Sequence, residues 1–277
     1  MGKPTILITG CSSGIGYDAA HGLARSGWRV FATCRKETDA ERLRSEGLES
    51  WRLDYEDEDS IAAGLDEALS RTGGTLDALF NNGAYAIPGL VEDMPTGALR
   101  AIFETNVFGQ HELARRVLPV MRAQGHGRIL FNSSILGFTA LPWRGAYNST
   151  KYALEGYCDT LRREMRGTGI HVILIQPGPI TALIRQNSIP HFEKWFVPAA
   201  SARADEYETK LKPRLYKLGN ERDPFELPAS AVTRAVKRAL TAKNPRARYR
   251  ITLPTKIAAI GKRLLPTRLQ DRILARL

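Results

Sequence analysis

The 277-residue chain, with 43% hydrophobic residues and a net charge of +11, has enough apolar material for one large α/β domain with a substantial core. No apolar run reaches the roughly 18 to 20 residues of a membrane span, and the N-terminus enters a strand pattern without the apolar stretch and cleavage site of a secretory signal. Cys11, Cys34 and Cys158 are odd in number and far apart, which argues against a disulfide framework or zinc site and for a reducing cytoplasm.

Short apolar or β-branched runs predict strands at Thr5–Thr9, Arg29–Thr33, Glu49–Leu53, Ala78–Asn81, Gly127–Asn132 and His171–Gln176. Amphipathic stretches at Tyr17–Ser26, Ser60–Arg71, Leu99–Ala123 and Tyr147–Gly167 predict helices between them. Strand-helix alternation of this kind builds a doubly wound parallel sheet with helices on both faces, in a single domain. Ligands of such sheets bind beyond the carboxyl ends of the strands, where the strand order reverses. The alternation breaks down between Pro177 and Pro228, a stretch rich in Pro and aromatic residues. Residues 183–227 are read as a substrate loop or lid; the alternative is a helical hairpin packed on the domain or on a partner subunit.

The segment Thr9-Gly10-Cys11-Ser12-Ser13-Gly14-Ile15-Gly16 follows the first strand and opens the first helix. Its glycines permit a tight turn and bring backbone N–H groups toward a pyrophosphate at the positive end of that helix. The second strand ends in Cys34-Arg35-Lys36, without the acid that binds the ribose 2′-hydroxyl of NAD. Arg35, with Lys36 and Ser12, offers donors for a 2′-phosphate, so the cofactor read here is NADP(H); Glu37 is the acid if the strand runs further. In Tyr147-Asn148-Ser149-Thr150-Lys151 a helical turn places phenol and ammonium on one face. A cation held there favours the phenolate and tunes the tyrosine as an acid/base catalyst.

Together these segments resemble the short-chain dehydrogenase/reductase family in its compact, single-domain, Rossmann-like branch, over about residues 4 to 182. The glycine motif Thr9–Gly16, with Gly10, Ser12, Ser13, Gly14, Ile15 and Gly16, matches that family's cofactor loop. The resemblance implies that Asp54, after Leu53, contacts the adenine. Asn81-Asn82-Gly83-Ala84 is similar to the family's fourth-strand motif with its last two residues exchanged, which places Asn82 and Gly83 beside the cofactor. Asn106 corresponds to the helix asparagine that holds a water of the proton relay. Ser134 lies thirteen residues before Tyr147, the family's spacing for the catalytic serine, with Ser133 as the alternative hydroxyl. Lys151 would also hold the nicotinamide ribose, and Pro177, Gly178 and Thr181 would pack on the nicotinamide side. A homodimer or homotetramer is implied as well.

The domain so read spans residues 1–253, followed by a basic tail at 254–277. From Lys243 to Leu277 ten basic residues face Asp271 alone, so this end carries +9 of the net +11. Leu269, Ile273 and Leu277 are spaced as one helical face. The tail either lies on a membrane surface or covers the substrate mouth or a subunit interface. Few aromatics accompany the charges, so nucleic acid is not an expected partner. His21, His111, His126, His171 and His191 share no metal-ligand spacing.

The glycine loop and the end of the second strand resemble the steroid-, retinoid- and lipophilic-aldehyde-active members of the family. The expected activity is therefore NADP(H)-dependent interconversion of an apolar aldehyde or ketone with its alcohol. Catalysis would fall to Ser134, Tyr147, Lys151 and Asn106. A cofactor-binding sensor or scaffold without turnover is the alternative.

Overall fold

The structure, a computed structural model, describes residues 2–217 and 223–275. Residues 218–222 of the 183–227 insertion, and Arg276 and Leu277 of the tail, lie outside the described residues.

Seven parallel strands form one sheet in the order β3-β2-β1-β4-β5-β6-β7. They are β1 (Thr5–Ile8), β2 (Arg29–Cys34), β3 (Glu49–Arg52), β4 (Ala78–Asn81), β5 (Gly127–Asn132), β6 (Ile170–Gln176) and β7 (Arg248–Arg250). The central strands β1 and β4 are buried at every position, which is why they read as unbroken apolar runs rather than alternating ones. Helices α1 (Gly14–Ala24), α2 (Glu37–Ser45) and α3 (Glu58–Ser70) cross between the first four strands. Next come α4 (Thr96–Phe103), a π turn at Glu104–Phe108, α5 (Gly109–Gln124) and α6 (Gly145–Glu164). One face of the sheet packs with Ile61, Leu65, Leu113, Val117, Leu154 and Leu161 of α3, α5 and α6. The other face packs with Ala19, Leu23 and Leu43 of α1 and α2, and with Val232 and Val236 of α10 (Ser230–Thr241), which follows the insertion.

Strand order reverses between β1 and β4, and the loops leaving these two strands meet there. The insertion between β6 and α10 is helical, with α7 (Ile184–Trp195), α8 (Ala204–Glu206), a π turn at Tyr207–Leu211 and α9 (Lys212–Leu215). Its ends are fastened together: Thr181 N–H donates to Leu227 O at 3.0 Å and Leu227 N–H to Pro179 O at 3.2 Å. Phe192, Phe196, Tyr207, Leu211 and Leu215 form a third apolar cluster with Ile87 and Ile102, so the insertion is packed rather than draped. The tail is α11 (Leu253–Leu264) and α12 (Thr267–Leu274).

Candidate active site

The glycine loop turns at Gly10 and Gly14, both with positive φ (67° and 57°). A Cβ on Gly10 would meet the Gly83 Cα at 2.6 Å, and one on Gly16 would meet the Gly10 carbonyl oxygen at 2.2 Å. The loop is therefore pressed onto the segment after β4. Thr9 organises this contact: its hydroxyl oxygen accepts from the N–H groups of Asn82 (3.0 Å) and Gly83 (3.1 Å). It also lies 2.7 Å from the Tyr55 hydroxyl, which donates to Asn81 Oδ1 at 2.6 Å. The sequence reading missed Thr9 and Tyr55 as organisers, because no local spacing links residues from three strands.

The side-chain amide of Asn82 donates to Thr9 O (3.0 Å) and Gly10 O (3.2 Å), and its Oδ1 accepts from Asn132 Nδ2 at 2.9 Å. The main-chain carbonyl of Asn132 in turn accepts from Lys151 Nζ at 2.7 Å. One hydrogen-bonded line thus runs from the glycine loop, across the ends of β4 and β5, to Lys151.

Tyr147 and Lys151 share a face of α6, with Nζ 5.4 Å from the phenol ring centre. Burial pushes the Tyr147 phenol up to about 12, opposed by a hydrogen bond with Ser134 and by the charge of Arg144. The Arg144 charge opposes the burial of the phenol, while the Lys151 ammonium, 5.4 Å from the ring centre, donates to Asn132 O. Burial brings Lys151 down to about 7. Of the two candidate serines, Ser134 faces the phenol, while Ser133 Oγ donates to Glu155 Oε1 at 2.5 Å. Glu155 also accepts from Gln176 Nε2 (2.8 Å) and Arg248 Nε (3.0 Å), locking α6 to β6 and β7.

Asn106 sits fully buried in the π turn, which interrupts the continuous helix expected over Leu99–Ala123. Its Oδ1 accepts from Tyr85 N–H (3.0 Å), and its Nδ2 donates to Tyr85 O (2.9 Å) and Thr150 Oγ1 (3.2 Å). The widened turn ties the segment after β4 to α6, one turn from Tyr147. Ahead of α6, Trp143 holds φ +66°, a strained value for a bulky side chain. Its carbonyl accepts from Gly89 N–H at 3.0 Å, fixing the turn that presents Arg144.

On the cofactor side, the Ser13 side chain makes no capping bond to α1, and the first turn of that helix holds no acid. Its leading N–H groups and positive end suit a phosphate, so the residues fit a dinucleotide. Arg35 is exposed one residue beyond β2, with no acid paired to it among the described residues. Glu37 instead begins α2 and accepts from Arg44 at 2.7 Å. Asp54 accepts from Glu56 N–H at 3.2 Å. Pro177 O accepts from Ile135 N–H at 2.7 Å, next to Ser134, and Gly178 lies against the hydroxyls of Thr252 and Thr255. Thr181 Oγ1 donates to Glu226 at 2.6 Å.

The short chain dehydrogenase family matches residues 4–191. The chain belongs to that family. It is 37% identical to the uncharacterized oxidoreductase YbbO of Escherichia coli strain K12, over 98% of this chain and 94% of YbbO. It is 32% identical to retinol dehydrogenase 7 of Mus musculus, over 97% of this chain and 87% of that protein. Among solved structures, a short-chain dehydrogenase from Streptomyces avermitilis superposes with a TM-score of 0.79 at 25% identity, covering 98% of this chain and 95% of that one. The chain is an oxidoreductase of this family with a Rossmann-like, all-parallel sheet.

Proposed function

We propose that this oxidoreductase uses NADP(H) to interconvert an apolar aldehyde or ketone, of steroid, retinoid or lipid type, with its alcohol. The observation that carries the reading is the Tyr147 phenol. It is hydrogen-bonded with Ser134 and packed at the edge of the apolar cluster formed by Tyr85, Phe192, Phe196 and Tyr207. A carbonyl that reaches the phenol enters a largely apolar surround, which favours a bulky hydrophobic substrate. The likeness to retinol dehydrogenase 7 supports the same class, and the three buried free thiols support a reducing, cytoplasmic setting.

Gly10, Ser12, Ser13, Gly14, Ile15 and Gly16 would hold the pyrophosphate side of the cofactor, and Arg35 the 2′-phosphate. Asp54, Asn82 and Gly83 would border the adenosine half, with Pro177, Gly178 and Thr181 on the nicotinamide side. When bound, the cofactor supplies the hydride delivered to the carbonyl carbon. Ser134 and Tyr147 hold the carbonyl oxygen, and the Tyr147 hydroxyl, fully protonated at neutral pH, gives its proton as charge develops there. Lys151 and Asn106 position α6 and the neighbouring strand ends around this pair, and the cofactor ribose would lie on the Lys151 side.

The test follows NADPH absorbance with purified protein and a panel of apolar aldehydes and ketones, beside Tyr147→Phe and an NADH control. Turnover with NADPH that vanishes in Tyr147→Phe supports the reading. Equal inertness of both proteins while NADPH still binds would instead make the chain a sensor or scaffold.

A further inference from the structure

The two tail helices carry the largest run of exposed apolar side chains in the structure. On α11, Leu253, Ile257, Ile260 and Leu264 are 52% to 75% exposed. At 100° per residue these four fall within an arc of about 60°. Thr255 and Ala259, the buried residues of α11, lie on the opposite side. Thr255 rests against Gly178, and α11 packs beside the turn Ile135–Gly137 that follows Ser134. The helix therefore seats its small face on the rim of the candidate active site and turns its large apolar face outward. It does not use that face to cover the substrate mouth.

On α12, Leu269 and Ile273 are 42% and 47% exposed, and no residue of the helix is buried. Lys256 and Arg263 flank the stripe of α11, and Arg268 and Arg272 that of α12; Asp271 is the one acid of the two helices. A second copy of the chain would bring the same positive charge onto itself across a two-fold interface, which opposes pairing through this face. An anionic surface with an apolar interior satisfies both the charge and the stripe. No described helix is long and apolar enough to cross a membrane, so the contact would be in the plane of the interface.

We propose that α11 and α12 dock on an anionic phospholipid bilayer, with Leu253, Ile257, Ile260, Leu264, Leu269 and Ile273 inserted among the acyl chains and the basic residues at the headgroups. Because α11 is rooted beside Gly178 and Ser134, docking sets the candidate active-site rim close to the lipid surface. The exposure and charge of α11 and α12 are independent of which cofactor and substrate the site takes.

The test is flotation of the full chain with vesicles of phosphatidylglycerol and phosphatidylcholine, and with phosphatidylcholine alone. The expected result is binding to the anionic vesicles that is at least about tenfold stronger than to the neutral ones and weakens with salt. The exposed-site double variant Ile257→Glu/Leu264→Glu loses that binding while its melting temperature and its NADPH turnover without vesicles stay at wild-type values. A second variant, Lys256→Glu/Arg263→Glu, keeps the apolar stripe and loses the anionic preference. The proposal is overturned if wild type fails to float with anionic vesicles, or if the Ile257→Glu/Leu264→Glu variant floats as well as wild type. It is equally overturned if sedimentation equilibrium finds a dimer that this variant breaks while no vesicle binds.

Discussion

Lys151 donates from Nζ to the main-chain carbonyl of Asn132 at 2.7 Å, although the Tyr147 ring is the aromatic neighbour on its own helix face. This ammonium is almost wholly buried, and burial lowers it to about 7. Between about pH 7 and about 10, the unfolded chain holds a proton on this lysine that the folded chain has released. Stability therefore rises with pH across that window, by about 1.4 kcal/mol per unit from this group, and the contribution is flat below it. Burial raises Cys11, Cys34 and Cys158, and their titration pulls the opposite way at alkaline pH. The difference between wild type and Lys151→Met cancels those thiols. Urea unfolding at a series of pH values should show that difference climbing from about pH 7 upward. A flat difference would mean that the lysine stays charged throughout.

Arg144 acts on Tyr147 from one turn earlier in the chain. A phenol held up at about 12 is a ready proton donor at neutral pH and a poor acceptor. Reduction should therefore be nearly level around neutrality, and alcohol oxidation should climb into the alkaline range. Burial brings Arg144 itself down to about 10, so it bears on the phenol below that pH; Arg144→Leu should move the onset of the oxidative limb to higher pH. Arg144→Lys should restore much of the wild-type profile. An unchanged limb in Arg144→Leu would remove Arg144 from this role.

The six strands read from the sequence lie within a residue of those observed; five of them are buried along nearly their whole length and leave near-continuous apolar runs, whereas β3 is only partly buried. β7 escaped that reading: Arg248–Arg250 has three residues, none fully buried, and joins the sheet only through β6. α2 is too polar to announce itself, with Ala40 and Leu43 its only buried residues. The glycine loop and the Tyr147–Lys151 pair stand out in the sequence through short spacings, and Ser134 only through the family resemblance. Tyr55, Glu155 and Arg144 do not stand out, since each gains its role from partners brought close only by the sheet order. The π turn at Asn106 was hidden for a related reason, as one widened turn leaves the amphipathic pattern of the flanking helices intact.

Asn106 is the sole side chain hydrogen-bonded to both main-chain groups of Tyr85 among the described residues. Asn106→Ala leaves that N–H and that carbonyl buried without partners, at a cost of about 2 to 4 kcal/mol. The melting temperature should fall by several degrees. Asn106→Asp keeps an acceptor for the Tyr85 N–H but buries a carboxylate with one oxygen against the Tyr85 carbonyl, so near neutral pH it should be at least as destabilising as Ala. Calorimetry of the three proteins checks the order. An Ala variant as stable as wild type would show that the π turn is held by something else.

Two glycine substitutions should act in opposite directions. Gly16→Ala places a Cβ 2.2 Å from the Gly10 carbonyl oxygen and 2.6 Å from Asn82 Nδ2, so the loop backbone must move. Overpacking of this kind costs about 1 to 3 kcal/mol, and the displaced loop should also bind NADPH more weakly. Gly156 lies inside α6, away from positive φ, and a Cβ there meets nothing within 4 Å. Gly156→Ala should therefore stabilise by about 0.5 to 1 kcal/mol without altering NADPH affinity. Thermal melts with fluorescence titration of NADPH separate the two effects. Matching behaviour of both variants would contradict the packing account.

Cofactor preference turns on Arg35, because Glu37 is held by Arg44 at the start of α2 and Arg35 has no acid paired to it among the described residues. A guanidinium at the end of β2 suits a 2′-phosphate, while a carboxylate there suits a free ribose diol. Arg35→Asp should weaken NADPH at least about tenfold through loss of a charge-assisted contact and gain of a like charge. NADH affinity should hold or improve. Arg42 already donates to Ser12 O at 2.7 Å and leans on Tyr17, so it keeps the loop in place when Arg35 is changed. Titration of both nucleotides against both proteins reads the ratio directly. A ratio unmoved by Arg35→Asp would transfer the selection to another basic group, with Arg42 the next to replace.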